Sequence, residues 1–275
     1  MISFPNAKIN IGLNITGKCG DGFHNIETIF YPVEFADVLE FVQNNSLIPG
    51  DSSLEITGLP VPGDAETNLV VKAYKLLADK FSLPGLSIFL HKIIPVGAGL
   101  GGGSSDAAFM LKTLNEYFSL NLKWEEMENL ASVLGSDCAF FIRNKPVFAF
   151  EKGNKFKDIE LSLAGYSIRL ICPNIHIGTA EAYAGSVPCV PEHSLKEIIS
   201  LPIEQWKGTL VNDFERTIFK RYPEIEKIKH DLYGAGAIYV SMSGSGSSVY
   251  GIFEKEIDDV PDIPGQYFSW TGKLK

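Results

Sequence analysis

The residues best suited to chemistry lie in separate parts of the chain, and the densest group is a run of glycines. The segment from Pro95 to Ser105 holds five glycines and ends in two serines. Glycine lets the backbone adopt a positive φ and approach a ligand closely. The alternating stretch 86–94 before the segment predicts a strand, and the apolar periodicity after it predicts a helix, whose N-terminus presents free N–H groups. The sequence therefore predicts an anion site here, and the expected anion is a phosphate.

Four interpretations of this glycine segment compete. The Walker A pattern fails because Gly103 stands where the lysine belongs. The dinucleotide pattern G-x-G-x-x-G matches at Gly97, Gly99 and Gly102, but it requires a second strand that ends in an acid about 20 residues on, whereas a second helix is predicted at Trp124–Leu134. A flexible linker is disfavoured, because linkers seldom lie between a strand and an apolar-faced helix. The fourth interpretation is a phosphate loop of a different type, with the pattern P-x-x-x-G-L-G-G-G-S-S. This pattern fits the segment at every position.

Polar residues that could act on a phosphate stand elsewhere in the chain. The stretch 8–15 alternates, so Lys8 and Asn10 share the polar face of a predicted strand, which is either solvated or part of a site. Asp137 precedes an apolar run and could cap a helix or take part in acid–base chemistry. The turn Ser243–Ser248 has four serines and two glycines. It could be a plain hairpin turn or a support for the glycine segment.

Composition limits the classes of function. The 275 residues are 45% hydrophobic, and the formal net charge is -9. No basic tract interleaves with aromatic residues, so binding to nucleic acid or to a membrane surface is disfavoured. The N-terminus does not resemble a signal peptide, and no apolar run is long enough to span a membrane. The four cysteines are widely spaced, which disfavours disulfides and a metal cluster and favours the reducing cytoplasm.

The remaining patterns predict an α+β fold with two domains. The change of pattern near residue 160 places the domains at residues 1–160 and 161–275. A glycine-rich turn is predicted at 16–22, and a β connection at 146–160. Helices are predicted from a Thr67 cap to Lys80, after the glycine segment, and at 124–134, 197–200, 211–220 and 224–233. Strands are predicted at 8–15, 27–33, 37–42, 53–58, 86–94, 166–172, 237–242 and 249–253.

The order of the motifs resembles the kinase superfamily that includes galactokinase, homoserine kinase and mevalonate kinase. Its N-terminal segment, glycine loop and C-terminal glycine turn match Pro5–Asp21, Pro95–Ser105 and Met242–Ser248. Pro5-Asn-Ala-Lys-Ile-Asn10, Thr16-Gly and Asp21-Gly-Phe-His24 are similar to the segment found in the members that phosphorylate 4-diphosphocytidyl-2-C-methyl-D-erythritol. The resemblance implies a two-domain kinase fold, with an N-terminal nucleotide-binding domain and a smaller C-terminal α/β sandwich. It also implies phosphorylation of the 2-hydroxyl of this cytidine diphosphate alcohol by ATP, in non-mevalonate isoprenoid precursor synthesis.

The same resemblance implies site residues. Leu134–Phe141 is similar to the catalytic aspartate motif, which makes Lys8 and Asp137 the catalytic residues. Mg²⁺ is expected with ATP, and Ser105 or Asp106 are its candidate ligands, although no metal ligand is assigned. The implied substrate-binding residues are Asn10, Phe23, His24 and Tyr183; Phe23 and Tyr183 would sandwich the cytosine, and His24 would bond its edge. The implied ATP-binding residues are Asn68, Pro95, Val96, Gly97, Ala98, Gly99, Leu100, Gly101, Gly102, Gly103, Ser104 and Ser105.

Three other functions are open at this point. The first is another sugar or alcohol kinase of the same superfamily, against which Phe23, His24 and Tyr183 argue because a pyrimidine needs stacking faces and an edge reader. The second is a nicotinamide-dependent oxidoreductase, which the absence of the second strand and its acid disfavours. The third is a catalytically silent binding protein, which the presence of both Lys8 and Asp137 disfavours. A plain alternative for Phe23 is that it forms a buried staple of its turn.

Overall fold

The computed structural model of the protein describes residues 1–20, 22–254 and 266–275, and these residues form twelve strands and eight α-helices. The strands are β1 (Ile2–Ser3), β2 (Asn6–Lys18), β3 (His24–Ala36), β4 (Val38–Gln43), β5 (Ser52–Gly58), β6 (Leu86–Lys92), β7 (Val147–Phe150), β8 (Lys155–Asp158), β9 (Ser167–Cys172), β10 (Tyr239–Met242), β11 (Val249–Phe253) and β12 (Phe268–Lys273). The helices are α1 (Leu69–Phe81), α2 (Gly102–Tyr117), α3 (Trp124–Leu134), α4 (Cys138–Arg143), α5 (Thr179–Ala184), α6 (Leu195–Ile198), α7 (Glu215–Arg221) and α8 (Pro223–Gly234).

The chain divides into two compact units that interleave along the sequence. The glycine segment contributes to both, since residues 97–100 belong to the second unit and the residues on either side belong to the first. The predicted division into consecutive domains near residue 160 stays a prediction. The first unit comprises residues 1–7, 35–96 and 101–145, and the second comprises 8–34, 97–100 and 146–275.

The first unit contains a four-stranded sheet in the order β1-β4-β6-β5, in which β6 runs antiparallel to β4 and parallel to β5. Alternate residues of β6 are buried, as the period of two along a strand requires. Helix α1 begins after Asn68, whose side-chain oxygen accepts a hydrogen bond of 2.9 Å from the Val70 N–H. The predicted Thr67 cap is therefore wrong, because Thr67 ends a preceding turn of 3₁₀ helix and Asn68 caps α1.

The second unit contains two four-stranded sheets, β2-β3-β7-β8 and β10-β11-β9-β12. Strand β2 is buried on both of its faces over residues 8–15, so its polar residues Lys8 and Asn10 lie in the interior rather than on a solvated face. A buried polar side chain requires hydrogen-bond partners, so these two residues of β2 are candidates for a functional site. Apolar residues from β2, α7, α8, β10 and β11 share one core cluster; they include Leu13, Ile15, Ile218, Ile225, Val240 and Val249.

The α+β fold is confirmed, and so are most of the predicted elements. Helix α7 begins at Glu215 rather than near residue 211, because Asn212 pairs with Leu13 in a parallel bridge that holds residues 211–213 extended. The predicted turn at 16–22 starts later, since β2 continues to Lys18. Helix α5 and strand β12 are absent from the sequence prediction.

Asp21, part of the predicted turn before Phe23, lies outside the described residues, as does the part of the predicted C-terminal domain at 255–265. Within the described ranges, no helix combines the length and apolar character that a membrane crossing needs.

Candidate active site

The glycine segment is tightly enclosed where it passes through the second unit. Gly99 has a φ of +81°, and a Cβ atom added to it would lie 2.0 Å from the backbone oxygen of Ser243. The Ser248 N–H donates to the oxygen of Ala98 over 3.3 Å. Any residue other than glycine at position 99 would therefore displace the turn 243–248. The structure thus excludes a plain hairpin role for this turn, which supports the glycine segment directly.

The same segment is held on its other side by strand β2. The Lys8 N–H donates to the oxygen of Leu100 over 3.0 Å. Ser243 connects both supports, because its hydroxyl lies 2.8 Å from the Gly99 oxygen and accepts from the Asn10 N–H over 3.2 Å. Three motifs that are far apart in the sequence therefore meet through buried hydrogen bonds.

In the first unit the glycine segment becomes the N-terminus of α2. Gly101 is the N-cap with a φ of +71° and no side-chain cap, so the first N–H groups of α2 depend on other partners. A Cβ atom on Gly102 would lie 2.8 Å from Ile94, whereas one on Gly103 would meet nothing within 4 Å. Gly102 is therefore needed for packing. Gly103 faces open space, which is where a phosphate could approach the helix N-terminus.

A buried group of charges lies at the base of this helix. The Lys92 ammonium donates to Asp37 and, over 2.8 Å, to Asp106 of α2. Asp37 also accepts from the N–H groups of Ile93 and Ile94, which precede Pro95. Burial raises the pKa of Asp106 to about 7, because the interior disfavours a charged carboxylate more than Lys92 favours it. These contacts tie the end of β6 to the first turn of α2 on both sides of the glycine segment.

The candidate Mg²⁺ ligands lie in the same turn. The Ser105 hydroxyl and the second carboxylate oxygen of Asp106 are buried and have no hydrogen-bond partner in the described part of the chain. Within that part, no group of three or more metal-ligating side chains occurs. This donor set fits Mg²⁺ only as an ion carried mainly by substrate phosphates, which is how proteins commonly bind it.

Lys8 and Asn10 form the polar centre of the second unit. The Lys8 ammonium lies 2.5 Å from the Asn10 side-chain oxygen and 4.7 Å from the centroid of the Phe30 ring. The Asn10 amide nitrogen donates to the Thr28 hydroxyl over 2.9 Å. Lys8 is only 3% exposed, so its charge is held by specific partners rather than by water.

Asp137 lies in the first unit at the N-cap position of α4. Its side chain makes no capping hydrogen bond, and its φ and ψ are already helical. A role of Asp137 solely as the cap of α4 therefore lacks the hydrogen bond that a cap requires. The residue is half-buried and follows Gly135, whose added Cβ atom would lie 3.3 Å from the Cys138 sulfur. Helix capping therefore does not account for the Asp137 carboxylate.

The predicted substrate residues Phe23, His24 and Tyr183 line one cavity of about 580 Å³ in the second unit. The rings of His24 and Tyr183 stack with centroids 4.5 Å apart and planes 12° from parallel. Phe23 is 61% exposed, so it is not a buried staple of its turn. Direct stacking of a base on this face of Tyr183 requires the His24 ring to leave its position.

Sequence reasoning missed several residues of these sites. Lys18 and Lys152 also line the cavity, and the Lys152 ammonium lies 4.6 Å from the Phe23 ring centroid. Nothing in their local sequence marks them, because Lys18 ends β2 and Lys152 follows β7, and these strands come together only when the sheet forms. Thr28 belongs to a predicted strand, but its contact with Asn10 depends on sheet pairing. Asn68 caps α1, and this contact gives no information on ATP.

Comparison with known proteins agrees with this geometry. The GHMP kinases N terminal domain matches residues 68–145, and GHMP kinases C terminal matches residues 196–263. A mevalonate kinase from Methanococcus jannaschii shares the fold, with a TM-score of 0.69 at 14% identity over 100% of this chain and 98% of that one. Fold and motifs together define the class of the GHMP small-molecule kinases.

More similar proteins narrow the class. A 4-diphosphocytidyl-2-C-methyl-D-erythritol kinase from Bacteroides fragilis is 55% identical over 260 residues, 93% of each chain. One from Parabacteroides distasonis is 50% identical over 275 residues, 100% of each chain. A crystal structure of a 4-(cytidine 5'-diphospho)-2C-methyl-D-erythritol kinase gives a TM-score of 0.81 at 27% identity, covering 100% of this chain and 99% of that one. The chain belongs to the family of 4-diphosphocytidyl-2-C-methyl-D-erythritol kinases.

Proposed function

We propose that this chain transfers the γ-phosphoryl group of ATP to the 2-hydroxyl of 4-diphosphocytidyl-2-C-methyl-D-erythritol, with Lys8 and Asp137 as its catalytic residues. Family membership makes it an ATP-dependent phosphotransferase that acts on an alcohol in isoprenoid biosynthesis. In the reaction, the bond from the γ-phosphorus to the β–γ bridging oxygen breaks, and a bond to the hydroxyl oxygen forms. The hydroxyl proton leaves to a base, and ADP is the leaving group.

The observation that carries the proposal is the meeting of three motifs in one buried hydrogen-bond network. The backbone of β2 contacts the glycine segment at Lys8 and the turn at Ser243 through Asn10, and Ser243 contacts the glycine segment at Gly99. Phosphoryl transfer needs positioning and neutralisation of charge more than covalent participation, so a rigid scaffold around a lysine suits it.

Each catalytic residue has a role that fits its surroundings. Asp137 would accept or orient the proton of the attacking hydroxyl, which requires a carboxylate that is not used as a helix cap. Lys8 would offset the charge that develops on the moving phosphoryl group, and its buried ammonium is worth more in such a site than in water. The N–H groups of the first turn of α2, near Gly103, have no partner within the helix and would bind the ATP phosphates.

The cavity of the second unit would bind the cytidyl group. Phe23 offers an exposed ring face, and Tyr183 would offer a second one after the His24 ring leaves its stacked position to read the polar edge of the pyrimidine. Lys18 and Lys152 add positive charge at the cavity wall, which suits the diphosphate of this substrate.

Mg²⁺ bound to ATP would neutralise phosphate charge during transfer. Ser105, with its unpartnered buried hydroxyl, and Asp106, with its unpartnered oxygen, are the residues that would face such an ion. The remaining ligands would be phosphate oxygens and water.

One assay tests the proposal. ADP release is measured with ATP and a panel of alcohols that includes 4-diphosphocytidyl-2-C-methyl-D-erythritol, 2-C-methyl-D-erythritol 4-phosphate, homoserine and mevalonate. We expect turnover with the cytidyl alcohol and at least about a hundredfold lower kcat/KM with the others, since the stacking and edge contacts are absent. Equal turnover of the non-cytidyl alcohols would contradict the assigned substrate. ³¹P NMR of the product identifies the hydroxyl that has received the phosphate.

A further inference from the structure

Behind Lys8 and Asn10 lies a chain of hydrogen bonds that ends at a backbone carbonyl. The Asn10 amide nitrogen lies 2.9 Å from the Thr28 hydroxyl, and that hydroxyl lies 2.6 Å from the oxygen of Gly12. The Thr28 side chain is fully buried, and Lys8 and Asn10 are almost fully buried. Each of these polar groups must therefore be satisfied by its protein neighbours.

The direction of each hydrogen bond in this chain is fixed by elementary rules. A carbonyl oxygen only accepts, so the single hydroxyl hydrogen of Thr28 points at Gly12. The Thr28 oxygen is then left as an acceptor, and its neighbour on Asn10 must be the amide NH₂ rather than the amide oxygen. The Asn10 oxygen consequently faces the Lys8 ammonium, 2.5 Å away.

The backbone of Asn10 is held separately, which isolates the side-chain amide as the adjustable group. The Asn10 backbone N–H donates to the Ser243 hydroxyl over 3.2 Å, and the Asn10 backbone oxygen accepts from the Tyr250 hydroxyl over 2.8 Å. Ser243 lies 3.4 Å from the side-chain oxygen of Asn10 and donates more closely to Gly99. Thr28 is therefore the closest partner of the Asn10 NH₂ group.

We propose that Thr28 is a positioning residue for phosphoryl transfer: its hydroxyl fixes the Asn10 amide so that the amide oxygen holds the Lys8 ammonium in place. This inference rests on the catalytic role proposed above for Lys8. Without the Thr28 acceptor, the buried Asn10 NH₂ group loses its closest partner, and only the contact with Lys8 still favours this orientation. The amide then turns toward another acceptor, and the Lys8 ammonium, which is held by the amide oxygen, shifts with it.

The test compares Thr28→Val with Thr28→Ser in steady-state kinetics. Valine keeps the shape of threonine and removes the hydroxyl, whereas serine keeps the hydroxyl and removes the methyl group. For Thr28→Val we expect kcat to fall about 10- to 100-fold, as when a partner that orients a ligating residue is removed, with both KM values changed less than about threefold. Thr28→Ser should recover at least half of the wild-type kcat.

The matched control is Thr113→Val in α2. Thr113 is also a buried threonine whose hydroxyl donates to a backbone carbonyl, that of Phe109, over 2.5 Å. This variant reports the general effect of losing such a hydroxyl, and we expect its kcat to equal that of the wild type. If Thr28→Val is unfolded at the assay temperature, Thr28→Cys replaces it, because a thiol is a weak acceptor of similar size and should give an intermediate kcat.

The outcomes separate this inference from the proposed function. An unchanged kcat in a folded Thr28→Val variant overturns the positioning role, and so does a loss that Thr28→Ser shares in full. Lys8→Met is run in parallel as the reference for Lys8 itself. A Lys8→Met variant that retains its kcat overturns the catalytic assignment, whereas an inactive Lys8→Met beside a fully active Thr28→Val overturns only the role of Thr28.

Discussion

Two regions of the second unit solve different problems with different kinds of contact. Around Lys8 and Ser243, polar groups are buried and each hydrogen bond runs to a defined partner, often a backbone atom. The cavity beside Phe23 is lined instead by exposed or half-exposed side chains, with ring stacking and lysines as its main contacts. The first arrangement resists change, whereas the second can be altered by single substitutions.

We expect this difference to separate phosphoryl transfer from substrate choice. Removing one member of a buried network leaves several of its neighbours without a hydrogen-bond partner. This loss is large because unsatisfied polar groups in the interior are costly. Exposed rings can be replaced with little effect on folding, because a surface substitution seldom changes stability strongly. We therefore expect changes near the buried network or at Asp137 to lower turnover with every alcohol, and changes in the cavity to alter only the preference for the cytidyl group.

The largest effect is expected for Asp137→Asn, which tests the transfer side of the comparison. The change keeps the size of the side chain and removes the base, so kcat should fall by roughly 10²–10⁴. ATP affinity, measured by calorimetry, should stay the same. Asp79→Asn, at an exposed position of α1, is the control and should be fully active. More than half of the wild-type kcat in Asp137→Asn would show that Asp137 is not the base.

Two glycine variants separate phosphate binding from packing. In Gly103→Ala the new methyl group meets no protein atom, so the fold should be as stable as the wild type or more stable. The methyl group would occupy the open space where the phosphate approaches, so ATP affinity should fall by about tenfold, the worth of one charge-assisted hydrogen bond. In Gly99→Ala the methyl group collides with the Ser243 backbone at a φ of +81°, so the thermal midpoint should fall as well. Unchanged ATP affinity in Gly103→Ala would contradict the placement of the ATP phosphates at the N-terminus of α2.

The cavity side of the comparison is tested by Phe23→Ala. Loss of one stacking ring is worth about 1–3 kcal/mol per base, so the KM for the cytidyl alcohol should rise about tenfold or more. The thermal midpoint should not change, because Phe23 is 61% exposed. Phe4→Ala is a matched control, since Phe4 is 63% exposed and lies in the other unit. A lowered midpoint with an unchanged KM would reverse the assignment.

The smallest effect is expected for the pH dependence of stability in Asp106→Asn. Burial raises the pKa of Asp106 in the folded protein to about 7, so its contribution to stability is present below its ordinary pKa and is lost as the pH rises through about 7. Chemical denaturation at about pH 4.5 and about pH 7.5 measures this loss. The difference between the two pH values should be smaller in Asp106→Asn than in the wild type, and an equal difference would contradict the raised pKa.

Much of the fold follows from local pattern. The alternation in β6, the apolar face of α2 and the bounds of α3 follow from local periodicity, because these elements bury one face each. The pattern failed at α7, where Asn212 pairs with Leu13 and keeps the backbone extended, and at α5, whose six residues are too short for a clear period. It also placed the helix cap one residue early, since both Thr67 and Asn68 are residue types that cap helices.

The sequence by itself determined the glycine loop, the residue types of Lys8 and Asp137 and the family resemblance, because these are properties of contiguous segments. Only the tertiary structure decided that Lys8 and Asn10 are buried, that Ser243 contacts Gly99 and that Thr28 accepts a hydrogen bond from the Asn10 amide. Each of these depends on strands paired across long stretches of chain, and burial, which makes a hydrogen bond obligatory, exists only after those strands have paired.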